Sequence, residues 1–243
     1  AIELHLGHGY LLSQWLSPAV NRRRDAHGGS TEARLRFPLR VVEAVRRAVG
    51  TEFPVLAKTN VSDGVAGGVE VDEAVSIAVA LEAAGVDAIV PSGGLVSQSA
   101  FFLLRGARPL GGMIRAERSW AQKAALAMFG PFLVKSYPYT PMFLFDAADR
   151  VRQAVRIPVV LLAGVTDAAH LDRAAAAGFG FAAMGRALIA NPALIAEYGA
   201  GTASTSRCTH CNACVANMDA GVRCVLPAEP ATLLPAGLQP QME

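Results

Sequence analysis

The sequence predicts an α/β chain, a parallel sheet assembled from βα units. Three observations support this. Short apolar runs alternate with Ala-rich amphipathic segments along most of the 243 residues. The runs lack polar alternation, so they read as strands buried on both faces. Every run also ends in polar residues or glycine at the same end, a bias that packing alone does not require.

Residues 1–4 read as the last half of a buried strand, which opens into His5, Gly7, His8, Gly9 and Tyr10. Residues 32–49 place Phe37, Val41, Val42, Ala44, Val45 and Val49 at helical spacing. Residues 53–58 form a short strand ending in Lys58, and 72–84 an Ala-rich helix closed by Gly85. The strand at 86–90 stops at Pro91-Ser92-Gly93-Gly94. A less periodic stretch follows, with one helix around 118–128, a short extension at 132–135 and a helix over 144–155. The strand 157–162 runs into Ala163-Gly164-Val165, and a helix spans 168–177. A strand at 179–184 leads through Gly185-Arg186 into a helix over 187–198. The count is five strands.

Composition narrows the function classes. The chain is 52% hydrophobic and 17% charged, with a net charge of +2. That balance fits a well-buried α/β protein and gives no footprint for nucleic acid; the Arg22–Arg24 run is local and precedes Asp25. No uninterrupted apolar run is long enough to span a bilayer, and no signal segment is evident, so no membrane partner is expected. All four cysteines lie between 208 and 224. Such clustering suits a metal or cluster site in a reducing compartment, the cytoplasm, better than a disulfide framework.

Two imidazoles and a phenol within six residues, spaced by glycines, make a compact set of hydrogen-bond donors that includes a proton source. A structural use, capping a loop or satisfying a core polar group, is the competing reading of the histidines. Lys58 is either a cation beside a ligand or a solvated strand end. Gly164, Gly185 and Arg186 follow the last two strands, where backbone N–H groups and a bidentate guanidinium suit a phosphate. The cysteines Cys208, Cys211, Cys214 and Cys224 are spaced C-x2-C-x2-C-x9-C. Four thiolates suit a [4Fe–4S] cluster; tetrahedral zinc or an empty site are the alternatives.

One ordered pattern adds a family. His5-x-x-His8-Gly-Tyr10-Leu is followed, over 16–37, by L-S-P-x-x-N-x-R-x-D-x-x-G-G-S-x-E-x-R-x-R-F. This resembles the Old Yellow Enzyme family of FMN-dependent ene-reductases, nearest the 2,4-dienoyl-CoA reductase branch of NADH:flavin oxidoreductases. His27 stands where that pattern usually has Tyr, and Ala33 where it has Asn. The resemblance implies a (β/α)₈ TIM barrel entered at its fourth strand, so that about five βα units form a partial barrel over 1–202. A cysteine-cluster segment would follow at 203–226 and a flexible tail at 227–243. It also implies FMN bound by Lys58, Gly164, Gly185 and Arg186, NAD(P)H as reductant, and a cluster on the four cysteines, whose second-to-third gap is one residue shorter than the branch's usual run. His5 and His8 would bind the carbonyl oxygen of an enone or enoyl-type substrate, and Tyr10 would protonate it. A homo-oligomer or a partner is expected to cover the open barrel edge. The alternative from another class is a catalytically silent barrel fragment serving as a structural or interaction module.

Overall fold

The computed structural model describes residues 1–216, 218 and 221–226. The tail expected at 227–243 lies outside the described residues.

Five strands form where five apolar runs predict them: β1 (Ile2–Leu6), β2 (Val55–Ser62), β3 (Ala88–Gly93), β4 (Val160–Leu162) and β5 (Phe181–Ala183). All pair in parallel, in the orders β1-β2-β3 and β4-β5, and a single bridge between Ile89 and Val159 joins the two sets. Helices α1 (Leu11–Leu16) and α2 (Thr31–Val49) connect β1 to β2, and α3 (Val71–Ala83) connects β2 to β3. Between β3 and β4 lie α4 (Val96–Ser99), α5 (Leu110–Ala116), α6 (Trp120–Leu133) and α7 (Phe145–Ala154). Helix α8 (Ala168–Ala177) joins β4 to β5; α9 (Arg186–Ala190), α10 (Leu194–Ala200) and α11 (Ala213–Ala216) follow.

Side chains alternate across a strand, and in-register partners share a face. The outer face buries Leu6, Ala57 and Ile89 against Val42 of α2, Ile77 and Leu81 of α3, and Val151 of α7. The inner face carries Glu3, His5, Lys58, Asn60 and Ser92 toward the strand C-terminal ends. Phe181, paired with Val160 on that inner face, is 62% exposed. An aromatic ring that a closed barrel would bury is left uncovered, because five strands wrap only part of the interior. The fold is a partial (β/α)₈ barrel.

The structure departs from the sequence expectations at several places. The helix expected over 187–198 is two, α9 and α10, broken at Asn191-Pro192. The residue before proline avoids the α region, and Asn191 is extended (φ −147°, ψ 101°) while its Oδ1 accepts the Ala193 N–H at 3.0 Å. Strand β3 continues through Pro91 instead of stopping there. Ile89 N–H donates to Pro158 O on the β4 side; two residues on, Pro91 faces that same side with no donor, so the ladder to β4 ends while pairing to β2 persists. Helices α1, α4, α5 and α11 are additional to those the sequence predicts. The stretch 132–135 begins as the end of α6 rather than as an extension.

Candidate active site at the strand ends

Beyond β1 the chain turns through His8 (φ 62°) and Gly9 (φ 82°). The left-handed conformation at His8 is held from both sides. Its N–H donates to Asn60 Oδ1 at 3.1 Å, and its C=O accepts from Val96 N–H at 2.9 Å. Asn60 is buried in β2 and fixed in turn, its Nδ2 donating to Asp63 Oδ1 (2.7 Å) and Gly94 O (2.9 Å). Gly7 has to be glycine for this arrangement, since a Cβ there would stand 2.9 Å from Asn60 Oδ1. Asn60 is the positioning residue that sequence reading missed; its signal was a lone amide inside an apolar strand.

The turn brings the two imidazoles together. The His5 and His8 rings lie 4.8 Å apart and nearly perpendicular, and the Tyr10 ring is 5.0 Å from His5. His8 Nε2 is 2.7 Å from Ser92 Oγ at the end of β3. Burial, followed by the neighbouring charges of His5 and Lys58, pushes His8 down to about 4. Burial also lowers His5, with Lys58 adding to the shift and Glu3 opposing it. Both rings are therefore neutral at neutral pH, each with one N–H to give. His5 Nδ1 accepts from Gly7 N–H (3.4 Å), which leaves its proton on Nε2. Lys58 stands beside this pair, in register with His5, and its Nζ is 2.5 Å from Glu3 Oε1.

A second group lies at the ends of β4 and β5. Gly164, Gly185 and Arg186 line a mainly apolar cavity of about 430 Å³ together with Tyr139 and His210, whose rings stack at 3.5 Å. Gly164 has φ 79°, and a Cβ there would meet Met142 N at 2.6 Å, so this glycine is required by the loop packed on it. Gly185 has open space where its Cβ would be. Arg186 is turned toward the cysteine segment, its Nη1 donating to Arg105 O (2.8 Å) and Asn212 Oδ1 (2.5 Å). His5, His8, Tyr10 and Lys58 do not line this cavity. The structure thus collects the sequence-predicted residues into two groups along one rim, the histidine group on β1–β3 and the glycine–arginine group on β4–β5.

The four cysteines converge as well. Cys208, Cys211, Cys214 and Cys224 all line one small cavity of about 20 Å³ beside Arg186 and Asn212. All four are free thiols, and burial pushes the Cys214 thiol up. Among the described residues, no three His, Cys, Asp or Glu side chains are placed to hold a single metal ion.

Comparison with known proteins identifies the lineage. The NADH:flavin oxidoreductase / NADH oxidase family model matches residues 1–99. A 4,4'-dithiodibutanoate disulfide reductase of Rhodococcus erythropolis is 39% identical over 227 residues, 93% of this chain and 56% of that protein. Residues 1–99 belong to the NADH:flavin oxidoreductase / NADH oxidase family. An NADH oxidase of Thermoanaerobacter brockii is 32% identical over 192 residues, 79% of this chain and 25% of that one. The solved 2-naphthoyl-CoA reductase in complex with 2-naphthoyl-CoA shares the fold, with a TM-score of 0.67 and 24% identity, over 87% of this chain and 28% of its own. The chain spans about half the length of the Rhodococcus relative and a quarter of the Thermoanaerobacter one.

The family implies a flavin, and the residues present fit one. The cavity at β4 and β5 is apolar enough for a ring system, and the Arg186 guanidinium lines it. A guanidinium at the wall of such a cavity suits an anion such as a phosphate. Arg105 is not among the lining residues, and its guanidinium lies over the Phe143 ring at 4.1 Å. His27, at the position that departs from the family pattern, sets its ring edge-on to Trp15 at 5.6 Å and so retains an aromatic contact.

Proposed function

We propose that this chain carries out the FMN-dependent reduction of an activated C=C bond, in an α,β-unsaturated carbonyl substrate, with electrons from NAD(P)H. The observation that carries the reading is the pair of neutral, pre-positioned imidazoles at the mouth of β1, with a phenol beside them. Bound FMN supplies the hydride. Gly164, Gly185 and Arg186, which line the cavity, are assigned to hold it, and Lys58, outside that cavity and beside His5, is assigned to the edge of the flavin that faces the histidine group. His5 and His8 donate to the substrate carbonyl oxygen, where negative charge develops as hydride adds to the β-carbon. Neutral donors suit this task, because they stabilise the developing charge without surrendering a proton to the oxygen. Tyr10 gives its proton to the α-carbon, and its 55% exposure lets water restore it. The four thiols, which line one small cavity, are the donor set we assign to a [4Fe–4S] cluster, since such a cluster takes four thiolates. Free thiols suit a reducing compartment, and we place the protein in the cytoplasm.

Tyr10→Phe tests the assignment. Reduction by NAD(P)H should continue, while enone reduction slows by about 10²-fold or more. An unchanged enone rate would remove Tyr10 from this role.

A second reading has its own support. The relative that covers 93% of the chain is, by its name, a reductase of an organic disulfide. The same rim would then bind a disulfide, and His5 or Tyr10 would protonate the leaving thiolate. Competing the two acceptors for one reduced protein separates these readings.

A further inference from the structure

Helix α6 and its flanks serve neither the histidine group nor the cavity. The sequence W-A-Q-K-A-A-L-A-M-F-G-P-F-L is almost wholly apolar, yet only Gly130 is buried. Trp120 is 82% exposed, Phe132 83% and Leu133 75%. Gly130 sits against Leu110 of α5, so the opposite face, which carries Ala121, Ala125, Met128, Phe129 and Phe132, points outward. That face carries no charge along the whole helix.

Charge gathers instead at its ends. Residues 101–135 hold six Lys and Arg against the single acid Glu117, in a chain of net charge +2. Arg118 precedes Trp120, Lys135 follows Leu133, and Arg108 donates to Pro131 O at 3.1 Å near the helix C-terminus. These three and Arg115 are exposed, and among the described residues none makes an ion pair. Glu117 is engaged with the backbone, accepting from the Arg118 and Ser119 N–H groups.

An apolar helix face carrying two Phe, with an exposed Trp at the start of the helix and bracketed by free cations, matches the demands of a bilayer surface: acyl chains for the rings, anionic headgroups for the guanidinium and ammonium groups. No described helix is long and apolar enough to cross a membrane. Lying on one is a different requirement, and a 14-residue helix meets it. We propose that α6 docks this protein on an anionic lipid surface, with Trp120, Met128 and Phe132 inserted and Arg108, Arg115, Arg118 and Lys135 at the headgroups. A second copy of the chain is the poorer occupant, because a two-fold pairing of this face would set its unpaired cations against their own copies.

The test is flotation of the whole protein with vesicles of mixed phosphatidylglycerol and phosphatidylcholine, and with phosphatidylcholine alone. The protein is expected to float with the mixed vesicles, to remain behind with the zwitterionic ones, and to be released by high salt. Trp120→Ser and Phe132→Ser, both on an exposed face, should keep the circular dichroism of the parent and weaken binding roughly tenfold each. Failure of the parent protein to float with anionic vesicles overturns the proposal. So does a stable dimer in solution that Phe132→Ser dissociates, which would give the face to a second copy.

Discussion

Replacing His5 and His8 together with alanine is expected to slow enone reduction by on the order of 10³-fold or more, with flavin content and reduction by NAD(P)H retained. The expectation rests on where the rings are. They meet at 4.8 Å beyond a strand end, and the backbone of His8 is fixed at its N–H by Asn60 and at its C=O by Val96. Removing the rings therefore deletes two donors, along with the ring contacts to Gly7 and Ser92, and leaves both backbone anchors of the turn in place. Neither side chain lines the cavity at β4 and β5, so cofactor retention should be indifferent to the change. Anaerobic half-reactions measure this: reduction by NAD(P)H alone, then reoxidation by an enone. A double variant that reoxidises at the parent rate would mean that the histidines only shape the loop.

Arg34→Ala is expected to lower the stability of the fold by about 3 kcal/mol. Arg34 is 5% exposed, and its guanidinium joins four segments. Nε donates to Leu16 O at the end of α1 (2.7 Å), Nη1 to Gly29 O, and Nη2 to Thr31 Oγ1 (3.3 Å) and to the Glu73 carboxylate of α3. Alanine would leave two carbonyls without a donor and a largely covered carboxylate without its counter-charge, the costly way to break a buried pair. Urea unfolding of the parent and the variant measures the difference. A loss under about 1 kcal/mol would contradict the account, because exposed ion pairs lose that little.

The strands were legible as short, mainly apolar runs set between helical stretches, although burial on both faces holds throughout only for β3, while β1 and β5 leave residues exposed. Their register was not legible. That Lys58 lies beside His5, and that Ser92 reaches His8, depends on crossovers whose geometry no local pattern encodes. The split between α9 and α10 was readable at Asn191-Pro192, but the apolar periodicity on either side masked it. The rim residues His5, His8, Tyr10, Gly164, Gly185 and Arg186 were visible as polar punctuation at strand ends. Their division into two groups was not, nor was the turning of Arg186 toward Asn212, since both depend on how the segment after β5 folds back. Asn60, whose side chain holds the turn at His8, escaped notice because a single amide in a strand carries no spacing signal.

The most direct measurement is the visible spectrum of the purified protein through one anaerobic cycle. Oxidised-flavin bands should bleach when NADH or NADPH is added and return when an α,β-unsaturated ketone follows. Bands that stay bleached with the ketone but return with an organic disulfide would contradict the central claim.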